Sequence, residues 1–373
     1  MTGSSNGGLR RARSAVLAAA LAVLAAFATI GAGQDAAAQP GTSPHIVYTG
    51  GGGFTDSVVF ATDRAGNAIV LSETAEPFAT INGGLVAFTR HDPQVPFASN
   101  VLVKDAVTGE RIYRVTDARW PLIFDDGTSL LFFPDNNGRD VPDDRDPFVS
   151  SVWFRDLETG VERRLAQFEG GDLYPLQTAV SPDGQVAAFT EGNDTFLFEW
   201  NIWVAGVDGT DLEQITTDDR SLYPSFSPDG QTIAFMHVRP EAPCSASVHL
   251  MGIEGSNARP LARGSCDAVL LRPVWLDDST LVVWRWEPTD RGFNKPTGLL
   301  RISAETGEVL GEIVSGRVMD FAVAREAGQV VYRMKKGRIA VYDAATDSSS
   351  SVPGGRDAPF GHVHVDGSLE LAI

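Results

Sequence analysis

Several groups of side chains in this chain could do chemistry. The run Asp135-Asn-Asn-Gly-Arg-Asp-Val-Pro-Asp-Asp-Arg-Asp146 sets carboxylates at short intervals along one loop. Calcium takes about six to eight oxygen ligands, which closely spaced carboxylates on a tight loop can supply. The other reading is a solvated acidic loop tied by internal Arg–Asp pairs. Phe196, Phe198 and Trp200 form one aromatic cluster, and Trp284, Trp286 and Phe293 form another beside Arg285, Arg291 and Lys295. Aromatics interleaved with cations suit a protein or glycan ligand. The alternative is core packing, which Trp203 and Trp284 should follow because both fall inside strand patterns. His362 and His364 share one face of a strand, but zinc needs about three or four ligands, so a structural role is expected for them.

The first residues read as an export signal. Arg10, Arg11 and Arg13 form a positive segment, an apolar stretch runs from Ala15 to Ile30, and Ala36-Ala37-Ala38 offers small residues for cleavage. A signal peptide over 1–38 and a single domain over 39–373 are therefore expected. The chain would be periplasmic or extracellular, with no membrane span after cleavage, and no Cys among the first 40 residues would make it a lipoprotein. Exactly two cysteines, Cys244 and Cys266, occur in the chain. In an exported protein such a pair favours a disulfide.

These groups need elements to position them, and the elements repeat. Tyr174-Pro175 through Ser181-Pro-Asp-Gly-Gln-Val-Ala-Ala-Phe189 nearly matches Tyr223-Pro-Ser-Phe-Ser-Pro-Asp-Gly-Gln-Thr-Ile-Ala-Phe235. Each reads as strand, turn, strand: proline pre-sets φ, Asp caps the turn, and Gly184 or Gly230 takes positive φ. Weaker copies lead into Leu85, Leu130, Leu281, Val330 and Leu369, giving seven hairpins (a–b). A second type with an acidic-Gly turn falls between them: Val58–Gly66, Val101–Gly109, Val152–Gly160, Ile202–Gly209, Val248–Gly255, Leu299–Gly307 and Ile339–Asp347 (c–d). Seven of each make seven four-stranded units of about 48 residues, in the range of propeller repeats. The chain starts with an unpartnered c–d hairpin and ends with an a–b hairpin. Joining the two closes a ring and removes sheet edges. His45-Ile-Val-Tyr48 is left over, as strand b of the closing blade or as an extra edge strand. It leaves six or eight blades open beside seven. The expected fold is all-β, a propeller of four-stranded antiparallel blades, ahead of a β-sandwich series.

The stretch Tyr223 to Phe235 resembles the WD40-like repeat of TolB-type β-propellers, and units of prolyl-oligopeptidase-like propellers. The resemblance covers most of residues 41 to 373. It implies the fold and, for TolB-type proteins, a periplasmic partner-binding role. The N-terminal α/β domain of TolB has no room here, and no Gly-x-Ser-x-Gly elbow of a hydrolase occurs. The loop Asp135–Asp146 resembles the calcium loop of thrombospondin type 3 repeats. That resemblance implies Asp135, Asn137, Asp143 and Asp146 as calcium ligands, while Arg139 stands where another Asp is expected and Asp140 where a Gly is usual.

Composition bounds the function. The 373 residues carry a net charge of −18, with 43% hydrophobic and 21% charged residues. That excludes global disorder, and it argues against nucleic acid as a partner because no basic surface is available. Glycine and proline are abundant, in keeping with many turns. The a–b and c–d turns are short and alike, whereas the b–c loops (His91–Asn100, Pro134–Ser150, Glu191–Trp200, His237–Ser247 and Glu287–Thr297) are long and differ. Function usually sits on variable loops held by a rigid scaffold. The expected function is therefore a non-enzymatic, monomeric propeller that binds a protein or cell-envelope partner on the b–c face. Phe196, Phe198, Trp200, Arg285, Trp286, Arg291 and Phe293 would be its contacts. The alternative is a glycan lyase or hydrolase working in the central channel, where Arg119, Asp172, Tyr174, Tyr223, Arg272 and Asp320 are the available groups. A cluster of three or more His, Asp or Glu at the channel mouth would favour that alternative.

Overall fold

The computed structural model describes residues 46–51, 57–91, 99–134, 149–169, 172–193, 199–238, 246–265, 267–288, 294–353 and 362–372. They form seven antiparallel sheets and no helix. Blade 1 holds β1 (Ile46–Gly51), β2 (Ser57–Thr62) and β3 (Ala68–Ala75). Blade 2 holds β4 (Ala79–Asn82), β5 (Leu85–His91), β6 (Ser99–Asp105) and β7 (Arg111–Thr116). Blade 3 holds β8 (Ala118–Phe124), β9 (Ser129–Pro134), β10 (Val149–Asp156) and β11 (Glu162–Glu169). Blade 4 holds β12 (Asp172–Val180), β13 (Val186–Asn193), β14 (Glu199–Gly206) and β15 (Glu213–Gln214). Blade 5 holds β16 (Ser221–Phe226), β17 (Thr232–His237), β18 (Ser247–Gly252) and β19 (Arg259–Arg263). Blade 6 holds β20 (Val269–Asp277), β21 (Thr280–Pro288), β22 (Asn294–Ser303) and β23 (Val309–Ser315). Blade 7 holds β24 (Val318–Ala324), β25 (Gln329–Met334), β26 (Ile339–Asp343) and β27 (Ser348–Ser351). The chain is a seven-bladed β-propeller.

The turn chemistry explains the hairpins. In both Ser-Pro-Asp-Gly turns the Ser hydroxyl donates to the Asp carboxylate and accepts the amide five residues on. Ser181 Oγ lies 2.6 Å from Asp183 Oδ1 and accepts Val186 N–H at 2.9 Å. Ser227 repeats this with Asp229 at 2.5 Å and Thr232 at 2.9 Å. Gly184 and Gly230 follow with φ of 69° and 70°, open to glycine at little cost. In the c–d turns Asp105 and Asp156 accept the amides two and three residues on.

The closing blade differs from the sequence expectation in one respect. Its strand a is β28 (Val363–Val365), and strand b is β1, the spare piece, in register from Ile46↔Val365 to Tyr48↔Val363. The last strand, β29 (Glu370–Ala372), does not pair with β28 as an a–b hairpin would. With the strand-b place already filled, it pairs antiparallel with the inner strand of blade 4, with Gln177↔Ala372, Thr178↔Leu371 and Ala179↔Glu370. Blade 4 therefore has five strands.

Seven apolar clusters fill the seven junctions between blades. The closing junction between blades 7 and 1 (Ile46, Tyr48, Ala322, Val331, Ile339, Val341, Val363 and Val365) is built like the others, all of these residues buried. Burying alternate faces of every sheet against both neighbours is what makes the strands near-continuous apolar runs.

Proline shapes the inner strands. Pro121, Pro175, Pro224 and Pro273 fall in the a strands of blades 3 to 6, and a proline cannot donate to a ladder. Register shifts sit at Arg119/Leu122, Tyr174/Thr178, Leu222/Ser225 and Leu271/Val274. Trp120, Tyr223 and Arg272, each just before its proline, adopt positive φ of 48°, 56° and 46°. Non-glycine residues held there cost about 1–3 kcal/mol each, and such positions cluster at functional sites.

Candidate functional site

The bulged strands gather polar side chains along the channel. Tyr223 of blade 5 hydrogen-bonds Gln177 of blade 4 and lies in the field of Arg272 and Asp320. Arg272 of blade 6 donates from Nη1 to Asp320 Oδ1 at 2.7 Å and from Nη2 to Phe321 O at 2.8 Å, its guanidinium 4.5 Å over the Phe321 ring. Asp320 of blade 7 also accepts the amides of Phe321 and Val363, both at 2.8 Å, and its Oδ2 lies 2.6 Å from His362 Nδ1. His364 Nδ1 accepts Ile81 N–H of blade 2 at 3.2 Å. The result is a polar belt from blade 4 round to blade 2. Arg272, Asp320, His362 and His364 are all buried.

The electrostatics follow from that burial. Burial alone would raise the Asp320 carboxyl, but the charges of His362 and Arg272 and hydrogen bonds from His362 and Val363 hold it well below the usual carboxylate range. Burial, then the neighbouring His362, pushes His364 well below the usual imidazole range. Burial raises the Tyr223 phenol.

Nearer the a–b turns, β29 crosses the same channel. Glu370, 4% exposed, accepts Ser225 Oγ at 3.0 Å and pairs with Arg325, which follows β24. Arg325 also donates from Nε to Trp275 O at 3.2 Å. The Glu370–Arg325 pair thus ties strands of blades 4, 5, 6 and 7.

On the b–c side, two predicted contacts come together. Trp200 of blade 4 and Trp286 of blade 6 both pack, with Tyr223, on a cluster of Leu222, Met236, Ala246 and Val269 at the end of blade 5. Trp286 stands edge-on to Trp284 with ring centroids 5.3 Å apart. Beside them His237 Nε2 lies 3.0 Å from Asp218 Oδ2 and stacks on His249 at 4.6 Å. Burial would raise Asp218, and the hydrogen bonds of His237 and Ser221 more than offset it. In the link from blade 1 to blade 2 the fully buried Glu76 takes Arg119 Nη2 at 3.0 Å and His91 Nε2 at 3.3 Å.

Of the other predicted residues, Arg285 is committed to Glu312 at 2.8 Å and Glu287 at 3.4 Å. Trp284 is buried and Trp203 packs edge-on to Phe168 at 4.9 Å, both as core. Phe196, Phe198, Arg291, Phe293, Asp135, Asn137, Asp143, Asp146, Cys244 and Cys266 lie outside the described residues, as do the side chains of Asp172 and Tyr174. Sequence reasoning missed Glu76, His91, Asp218, His237 and the Asp320–His362 contact. Asp320 and His362 are far apart in sequence, so no local spacing announces them; only the ring closure does.

Among the described residues no group of three or more His, Cys, Asp and Glu is spaced to hold a metal ion. Nor is any helix among them long and apolar enough to cross a membrane.

Comparison with known proteins gives the fold. No family model and no curated protein matches the chain. The tricorn protease matches in structure with a TM-score of 0.59 at 13% identity, over 84% of this chain; the chain spans only 35% of that protein. The β-propeller domain of the Trilobed protease from Pyrococcus furiosus, which has an open velcro topology, matches at 0.53 and 14% identity, over 74% of this chain and 81% of that one. An oligogalacturonate lyase in complex with manganese matches at 0.55 and 13% identity, over 83% and 84%. At these identities the likeness is one of architecture, and the chain shares with them the β-propeller fold.

Proposed function

We propose that the chain is an exported binding module that takes a protein or cell-envelope partner on its b–c face, centred on blade 5. The observation that carries this reading is the convergence of Trp200, Tyr223 and Trp286, from three blades, on one apolar cluster at that face. Partly buried aromatics over an apolar floor are what binding hot spots use. The strained φ of Tyr223 supports it, because an outlier of that kind is kept where it positions a side chain. The charged segment at Arg10–Arg13 and the apolar stretch after it support export.

Binding is favoured over channel catalysis because the described channel carboxylates are already spent on structure: Asp320 serves Arg272, His362 and two backbone amides, and Glu370 serves Arg325 and Ser225, both carboxylates being buried. The second reading, a glycan lyase or hydrolase, draws on the same place. Asp320, His362 and His364 do lie together along the channel, where such an enzyme would keep its groups. Capture of envelope proteins by the mature chain, repeated with Trp200→Ala and Trp286→Ala, tests the first reading. It requires a captured partner that the variants lose. Turnover on a panel of polysaccharides, abolished by Asp320→Asn, would establish the second instead.

A further inference from the structure

The inner edges of the a strands point their unpaired amides and carbonyls into the channel. Several of them are capped by a side chain from a neighbouring blade. Asp320 takes Val363 N–H, Arg272 gives to Phe321 O, Ser225 Oγ takes Trp275 N–H, and Thr80 Oγ1 both takes Ile123 N–H and gives to Pro121 O. The edge of β12 is served differently. A whole strand lies on it, and Val180 N–H donates to Leu369 O at 2.9 Å beside the three paired residues of β29.

That strand is a guest in blade 4. It has no blade of its own, since β1 holds the place beside β28. Its pairing is three residues long, against eight for β13 with β14 in the same sheet. Its hold on the channel is chemically specific. Leu369 packs against the cluster between blades 3 and 4, and the next residue, Glu370, sets its carboxylate against Arg325 and Ser225. An edge that pairs with an extended segment through the backbone, and reads its side chains through an apolar contact and a charge, is a strand-addition site.

We propose that the inner edge of β12 is a peptide-binding site, occupied by the chain's own β29, and that it takes extended segments in which an apolar residue precedes a glutamate. Backbone pairing with Gln177–Val180 supplies affinity, and Arg325 with Ser225 selects the carboxylate. This site opens toward the a–b turns and is independent of the b–c face.

The test uses the full chain and a fluorescent peptide, Gly-Ser-Leu-Glu-Leu-Ala-Ile, read by anisotropy. In Glu370→Gln the resident strand is weakened, so the peptide should bind at least tenfold more tightly than to the unaltered chain. Replacing the peptide's Glu by Lys should cost at least tenfold. If the peptide binds neither chain, or binds equally with Lys, the proposal fails. Should Glu370→Gln not fold, hydrogen exchange on the unaltered chain decides. With saturating peptide the amides of Leu369–Ala372 should exchange faster while those of Thr178 and Val180 stay protected. Unchanged protection of Leu369–Ala372 at saturating peptide would overturn the site.

Discussion

Arg325 and Glu370 pair across the central channel, joining the end of the inner strand of blade 7 to a strand that belongs to blade 4. Both are buried, at 9% and 4% side-chain exposure. Two charges taken out of water are costly, and their pairing offsets that cost only while both are present. Glu370→Gln leaves the Arg325 guanidinium buried without its counter-charge and should destabilise the fold by about 3–5 kcal/mol. Replacing both with leucine should recover most of that loss, because no orphaned charge remains. Denaturant melts of the three chains measure it; equal losses in the single and double variants would mean that the strand, and not the charge pair, carries the stability.

The channel should also make stability depend on pH in two separate windows. His364 has a folded pKa pushed well below its ordinary value of 6.5 by burial and by His362. The unfolded chain therefore binds the proton first. Stability should be full above pH 6.5 and fall as the pH drops below it, by up to about 1.4 kcal/mol per unit. Asp320 has a folded pKa held well below 3.8. Its contribution is present above that value and is lost only as the pH falls through and beyond it. His364→Asn keeps an acceptor for Ile81 N–H and removes the titration. Its melting temperature should be flatter than that of the unaltered chain between pH 6.5 and 5, with the steep loss below pH 4 retained.

The aromatic residues of blade 6 separate function from packing. Trp284 is buried in the cluster between blades 6 and 7, with Phe321 at 6.1 Å edge-on. Trp284→Ala should cost about 3–5 kcal/mol of stability. Trp286 and Trp200 are only partly buried at the b–c end of blade 5. Their alanine variants should stay folded, with the melting temperature moved by a few degrees. Partner affinity should drop by about 2 kcal/mol or more, roughly thirtyfold, if they are hot spots. Titration calorimetry with the captured partner reads this. A large loss of stability without a loss of affinity would return both residues to the core.

How much of this was legible in the residues can be judged strand by strand. The Ser-Pro-Asp-Gly turns were readable because their chemistry is local: Ser181, Asp183 and Gly184 close the turn among themselves. Seven units and closure by both ends followed from counting such turns. The fate of β29 was not readable, because Leu369 begins a segment that looks like every other strand b. Only the competition with β1 for the edge of β28 sends it across the channel. The site shows the same divide. Trp200 and Trp286 stand out as aromatics near loops, but nothing local says that both pack, with Tyr223, on one apolar cluster. Arg285 stands out in the sequence for its charge, which Glu312 two strands away and Glu287 on its own strand neutralise.

The acidic loop from Asp135 to Asp146 carries its own expectation. If Asp135, Asn137, Asp143 and Asp146 bind calcium, the ion stabilises the folded chain by mass action. Adding calcium at about a hundredfold its dissociation constant should contribute about 2.7 kcal/mol. Melting curves with calcium and with chelator should differ by several degrees, and Asp143→Asn should shrink the difference. Identical curves would leave the loop as a solvated acidic segment, its carboxylates offset in part by Arg139 and Arg145.

Cys244 and Cys266 are 22 residues apart in the sequence and fall just before β18 and just before β20, on either side of the two outer strands of blade 5. In an oxidising compartment the two should be joined. Closing a loop of that length should stabilise by about 3 kcal/mol, mainly by restricting the unfolded chain. Protein recovered from an oxidising compartment should therefore resist alkylation under denaturing conditions until it is reduced, when two thiols should be labelled per chain. Cys244→Ser alone should lower the melting temperature as much as reduction does, and reduction should then have no further effect. Labelling of both thiols without reductant would show that the chain keeps two free cysteines.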